Sequence, residues 1–272
     1  FANYTFHDDL AIAPKEWKIF MQDRMKRQAS NVTVLLENMM NNVIYQECFD
    51  ELSNLVSEKL NVSKELNVIP LESLVNMGSF KVIDHAFMKW MIERILAEDK
   101  NATLNGYSIT ELCNIREKLH FHDSFRQEYH AIRAARKMLD ATGFTPEDNL
   151  KDQINSYVDK NYRIDTEYRH FIAAYDQIEN TTPFEKVREL IQNIYTTEYL
   201  EKSVFAWNTA FEKNELQEVI PMQRYFYADE VKRIKEKVVV IISDAFRFEA
   251  AKELEAVFAE DQNCTVKMKT KM

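Results

Sequence analysis

The sequence predicts a mainly α protein: a large helical region running to about residue 235, then the first β-α-β unit of an α/β sheet. Three observations carry this expectation. Apolar residues recur at helical spacing through most of the first 235 positions. Glycine occurs three times in 272 residues, far below the roughly 7% of average usage, which argues against a turn-rich all-β fold. Finally, Val238-Val239-Val240-Ile241-Ile242 is an unbroken β-branched run, the pattern of a strand covered on both faces.

The elements follow in order. Val32, Leu35, Leu36, Met39, Met40 and Val43 make a first helical stripe. Ile83, Phe87, Trp90, Met91 and Ile95 make a second. Phe184, Val187, Ile191, Ile194 and Tyr195 make a third. Ser108-Ile109-Thr110-Glu111 reads as a capping box, in which hydroxyl and carboxylate satisfy each other's backbone N–H groups. Thr145-Pro146-Glu147 and Thr182-Pro183-Phe184-Glu185 each place an N-cap, a proline and an early acid at a helix start. Gly143 suits the stop of a helix running through Arg133 to Leu139. The expected domains are 1–235, with a sub-boundary near 143–146, and 236–272.

Past the β-branched run, Ser243 and Asp244 are both suited to cap a following helix. Ala250, Leu254, Val257 and Phe258 give that helix an apolar side, with Glu249, Lys252, Glu253 and Glu260 opposite. Cys264 to Thr270 alternates as a second strand would. Asp244 then stands at the carboxyl end of a strand, where open α/β sheets place their chemistry. Arg247 falls inside the apolar arc, and a cation in a first helical turn opposes the helix dipole. It is expected either to pair with Glu249 or Glu253, or to help hold an anionic group near Asp244.

The segment Val240-Ile241-Ile242-Ser243-Asp244-Ala245-Phe246-Arg247-Phe248-Glu249 resembles the opening signature of the PglZ family, whose usual form is Ile-Ser-Asp-Ala-Leu-Arg-Tyr-Glu. Upstream, Arg169-His170-Phe171-Ile172-Ala173-Ala174-Tyr175-Asp176, Ile194 to Leu200, Trp207 and Gln223 to Tyr227 are similar to stretches of type A PglZ chains. The resemblance implies an alkaline phosphatase-like α/β domain from residue 236 and a metal-dependent phosphohydrolase or phosphodiesterase of bacterial phage-exclusion (BREX) systems. It implies Asp244 as a ligand of a divalent cation, zinc or manganese, with Arg247 and Glu249 as supporting residues. Phe246 stands where the family has Leu and Phe248 where it has Tyr, so any role needing that phenolic hydroxyl is lost.

The family's nucleophile and remaining ligands lie further downstream, and a hydrolytic metal site needs several ligands. With Phe1 at the start and a close at Met272 in mid-alternation, the chain reads as an N-terminal fragment expected to be inactive alone. A phosphate-ester or nucleic-acid substrate is expected for the longer protein only. The alternative is a helical interaction module that docks other defence-system proteins.

Composition narrows the rest. The net charge of −9 disfavours generic phosphate-backbone binding, which needs accumulated Lys and Arg. Neither GxxxxGK[ST] nor GxGxxG occurs. Cys48, Cys113 and Cys264 form no CxxC, which suggests a reducing cytoplasm, and the resemblance implies a bacterial one. No apolar run approaches a membrane span. His120, His122 and His130 lack ligand spacing and read as polar helix residues. Trp17, Trp90 and Trp207 read as packing anchors, as do Tyr225 to Tyr227 beside Asp229 and Glu230.

Overall fold

A computed structural model describes residues 5, 13, 15–18, 26–211, 222–263 and 265–270. The chain is mainly α with one small β unit. Its principal elements are α1 (Lys26–Met40), α2 (Gln46–Lys59), α3 (Lys81–Leu96), β1 (Thr103–Leu104), β2 (Tyr107–Ser108), α4 (Ile109–Arg116) and α5 (Arg126–Met138). They continue with α6 (Leu150–Ser156), α7 (Tyr162–Tyr175), α8 (Glu185–Asn193), α9 (Lys202–Phe211) and α10 (Phe248–Glu260). Widened π-helical turns, Tyr157–Asn161 and Ile194–Glu201, join α6 to α7 and α8 to α9. Among the described residues no helix is long and apolar enough to cross a membrane.

The chain separates into two compact units: residues 1–136 with 171–188, and residues 137–170 with 189–272. Residues 236–272 lie within the second.

In the first unit α3 is the central core helix. Ile83, Phe87, Met91 and Ile95 are fully buried, as their spacing predicts, each worth about 1.5–3 kcal/mol of transfer free energy. The same helix buries Asp84. Arg116, at the end of α4, is also fully buried: its Nε donates to Asp84 Oδ1 at 2.9 Å and its Nη1 to the Met77 carbonyl at 2.6 Å. The Tyr129 hydroxyl of α5 donates to the same Asp84 oxygen. Ser108 caps α4 through the predicted box: the Glu111 N–H donates to its hydroxyl, and its own N–H donates to the Glu111 carboxylate. β1 and β2 pair antiparallel, Thr103 with Ser108 and Leu104 with Tyr107. Asn105 and Gly106 both have positive φ, +52° and +79°, the backbone that a two-residue hairpin turn requires.

In the first stripe only Leu36 is buried; Val32, Leu35 and Val43 lie exposed. Periodicity marks which face of a helix is apolar without supplying a neighbour to cover it.

In the second unit, Ile191 and Ile194 are buried as expected. Gly143 takes φ +77° after the helical run through Leu139, and its N–H donates to Glu198 Oε2 at 3.3 Å. Asn149, rather than Thr145, caps α6, its Oδ1 accepting from the Asp152 N–H at 2.9 Å. Val238 to Ile242 is exposed and forms no regular element, and residues 265–270 form none either, with Met268 and Thr270 half-buried; neither segment pairs with a strand among the described residues. The expected pair of strands flanking α10 is therefore absent from the described residues, and the small β unit lies at 103–108 instead. Cys264 lies outside the described residues. The reason is local chemistry: a β-branched run favours an extended backbone, but its N–H and C=O groups need a neighbouring strand to form a ladder.

Candidate functional site

The signature segment turns sharply at Asp244. Asp244 Oδ1 accepts from the Ala245 N–H at 2.9 Å, and Ala245 takes φ +53°, a left-handed backbone unusual for a residue with a Cβ. The Asp244 carboxylate is exposed. The helix begins at Phe248, and its N-cap is Arg247, at φ −71° and ψ 150° with no side-chain capping bond. Neither Ser243 nor Asp244 caps it. Arg247 thus precedes the helix and is exposed, which removes the conflict with an apolar arc.

The acids of α10 are taken by a different arginine. Arg169 of α7 pairs with Glu253 through Nη2, and its Nε stands 3.8 Å from Glu249 Oε1. His170 Nε2 lies 2.6 Å from Glu253 Oε1. Glu249 is 2% exposed, and its Oε1 has no hydrogen-bond partner among the described residues. The expected pairing of Arg247 with Glu249 or Glu253 is therefore replaced by Arg169. Meanwhile Leu254, Val257 and Phe258 lie open, so the helix covers part of its acidic side and leaves its apolar side bare.

Phe248 packs between Tyr157 and Tyr162, with ring centroids 5.6 Å from each. Beyond it, Asp165 of α7 accepts from the Tyr157 hydroxyl at 2.9 Å and from the Tyr195 hydroxyl at 2.8 Å. Tyr195 stacks face to face on Tyr168, centroids 3.8 Å apart. Burial first, then the hydrogen bond to Asp165 and its charge, pushes the Tyr195 phenol above its usual value; the positive charge of Arg247 works against this. Sequence reasoning passed over this Asp–Tyr cluster. Its only trace was the i, i+8 spacing of Tyr157 and Asp165, which the widened turn alters.

The set can be tested against a divalent cation. No three His, Cys, Asp or Glu side chains gather at metal-binding distance among the described residues. Asp244 offers one open carboxylate and Glu249 is committed to Arg169, so these residues do not by themselves fit a tightly held ion. His120 and His122 sit apart from any such cluster: His120 Nε2 bonds Asp50 Oδ1 at 2.6 Å, and His122 lies 3.9 Å from Glu117.

Comparison with known proteins gives two relatives. The chain is 30% identical over 253 residues to the alkaline phosphatase-like protein PglZ of Bacillus cereus (strain H3081.97), covering 89% of this chain and 29% of that protein. It is 22% identical over 249 residues to the alkaline phosphatase-like protein BrxZ of Escherichia coli O9:H4 (strain HS), covering 84% of this chain and 28% of that one. The chain thus spans less than a third of the length of these curated relatives. No family model matches it, and no solved structure does. Over the stretch it shares with them, the chain is similar to these alkaline phosphatase-like proteins, and the likeness supports the PglZ family.

Proposed function

We propose that the whole protein is a metal-dependent phosphohydrolase or phosphodiesterase of a bacterial phage-exclusion (BREX) system, acting in the cytoplasm on a phosphate ester or nucleic acid. The carrying observation is the likeness to PglZ across 89% of the chain, together with the signature from Ile242 to Glu249. In this reading the described stretch is a helical platform that carries one ligand, Asp244, of a zinc or manganese site. The other ligands and the nucleophile belong to parts of the protein beyond it, since the residues present do not assemble such a site. When bound, the metal would supply Lewis-acid stabilisation of phosphoryl charge.

The chain's own residues position that ligand. Arg169 ties α10 down through Glu249 and Glu253, which sets the direction from which Arg247 and the Asp244 turn emerge. The bare apolar run Val238 to Ile242 and the open side of α10 suit packing against further strands, which would turn the run into the covered strand its sequence describes. The test is turnover of bis(p-nitrophenyl) phosphate by the full-length protein with zinc or manganese. Asp244→Ala is expected to abolish metal-dependent turnover; unchanged turnover removes Asp244 from the site.

A second reading rests on the exposed apolar residues Val43, Ile44 and Val68 of the first unit. These would dock another component of the defence system. Loss of co-purification of such a component in Ile44→Lys supports it, and retention counts against it.

A further inference from the structure

The second unit contains a cavity of about 480 Å³, within the range of small-molecule sites. Two π-helical turns contribute to its lining: Tyr157, Val158 and Asn161 come from one, Tyr199 and Leu200 from the other. Such turns are rare and recur at functional sites, because the extra residue re-aims side chains that a regular helix would place elsewhere. Here they bring two tyrosines to the neighbourhood of Asp165.

The walls are aromatic: Phe144, Tyr157, Tyr199, Trp207 and Phe248 all line the cavity. The charged groups among the described lining residues are Glu147 and Asp165, with no lysine or arginine. Glu147 has a basic neighbour outside the lining, Lys160, at 3.9 Å. Asp165 is held by the phenols of Tyr157 and Tyr195, which orient it and bring no formal charge against it. Arg247 acts electrostatically on Tyr195 but does not line the cavity.

An anion entering this space would meet two carboxylates, so it does not suit a phosphate ester. A neutral ligand would leave the charge of Asp165 unused. A compact cation gains from both features: it is drawn to the faces of the rings by their quadrupoles and to the carboxylate by its charge. Phenols that donate to a carboxylate become more electron-rich, which strengthens the attraction. We propose that this cavity binds an alkylated ammonium cation, its methyl groups against the aromatic walls and its charge toward Asp165. This is a ligand site separate from the Asp244 chemistry.

The test is calorimetric titration of the 272-residue chain with choline and with 3,3-dimethylbutan-1-ol, which has the same shape without the charge. Saturable choline binding at least about tenfold tighter than the alcohol is expected, the range of a desolvated cation–aromatic contact. Trp207→Leu, which keeps apolar volume and removes the π face, and Asp165→Asn should each weaken choline by about tenfold with the circular dichroism spectrum unchanged. A peptide bearing trimethyllysine forms the second arm. If it binds tighter than choline, the cation belongs to a protein side chain; if weaker, to a free metabolite. Equal affinity for choline and the alcohol, no saturable binding of any cation, or undiminished binding by a folded Trp207→Leu overturns the proposal. The titration involves no turnover, so its failure leaves the role of Asp244 unaffected.

Discussion

Arg116 and Asp84 form a fully buried ion pair, with Arg116 Nη2 2.7 Å from Asp84 Oδ1, and the same guanidinium spans from α3 to the carbonyls of Leu74, Val75 and Met77. Its Cζ lies over the Phe87 ring, 4.9 Å from the ring centroid. A charge so placed is costly to desolvate, and the Asp84 carboxylate and the carbonyls of Leu74, Val75 and Met77 that accept from it offset that cost. Breaking one side leaves the other charge buried and alone. Arg116→Met is expected to destabilise the first unit by about 3–5 kcal/mol, and Asp84→Leu by a similar amount. The double substitution should recover much of the loss, because it removes both charges. Urea unfolding of the four proteins forms a double-mutant cycle; additive losses would show that the pair acts through packing alone.

His170 lies beside the carboxylates of Glu167, at 3.9 Å, and Glu253, at 2.6 Å. These hold its imidazolium above the usual histidine pKa, with partial burial and the charge of Arg169 opposing them. A raised folded-state pKa contributes stability that is complete below the unfolded value, about 6.5, and is lost as pH rises through the folded one. The chain should therefore lose some stability on going from slightly acidic to alkaline pH, and His170→Gln should flatten that dependence. The ring is partly exposed, so solvent screening keeps the effect small. Thermal melts across this pH range check it, and an identical profile in the variant would remove His170 as the source.

Burial pushes the Cys113 thiol up to about 12, whereas Cys48 is exposed. At neutral pH the thiolate is the reactive form, so Cys48 should alkylate rapidly with iodoacetamide and Cys113 only after unfolding. Peptide mapping after timed labelling reads both sites. Rapid native labelling of Cys113 would contradict its burial.

Ile241 and Ile242 are each 88% exposed. In the present chain Ile241→Thr should change stability by no more than about 0.5 kcal/mol, as for other surface positions. In the full-length protein the same change should cost about 1–3 kcal/mol if the residue becomes covered by neighbouring strands. A matched pair of melts separates the two, and equal small effects would show that the run stays outside any sheet.

What the sequence made legible was local. The α3 stripe at Ile83, Phe87, Met91 and Ile95 and the Ser108–Glu111 box depend on residues a few positions apart, and both form as written. The hairpin at Asn105-Gly106 was equally local and was passed over, although Asn-Gly between apolar residues is a strong turn signal. Features set by distant partners were not legible. Nothing near Glu249 in sequence indicates that Arg169 will take it, and Arg247 looked closer only because it is closer along the chain. The run Val238 to Ile242 declares a strand through its side chains, but the ladder that would make it one depends on a neighbour. The Asp165 cluster escaped because a widened turn shifts every side-chain direction after it, and apolar periodicity does not mark that shift.

The left-handed backbone at Ala245 narrows what drift can place beside the signature acid. Glycine would sit there without a Cβ penalty, and asparagine or aspartate at small cost, whereas valine or isoleucine would crowd the preceding carbonyl. The alphabet open to this position is therefore short. A β-branched newcomer would swing the carboxylate of Asp244 away from its present bearing while leaving the helical bulk of the protein untouched.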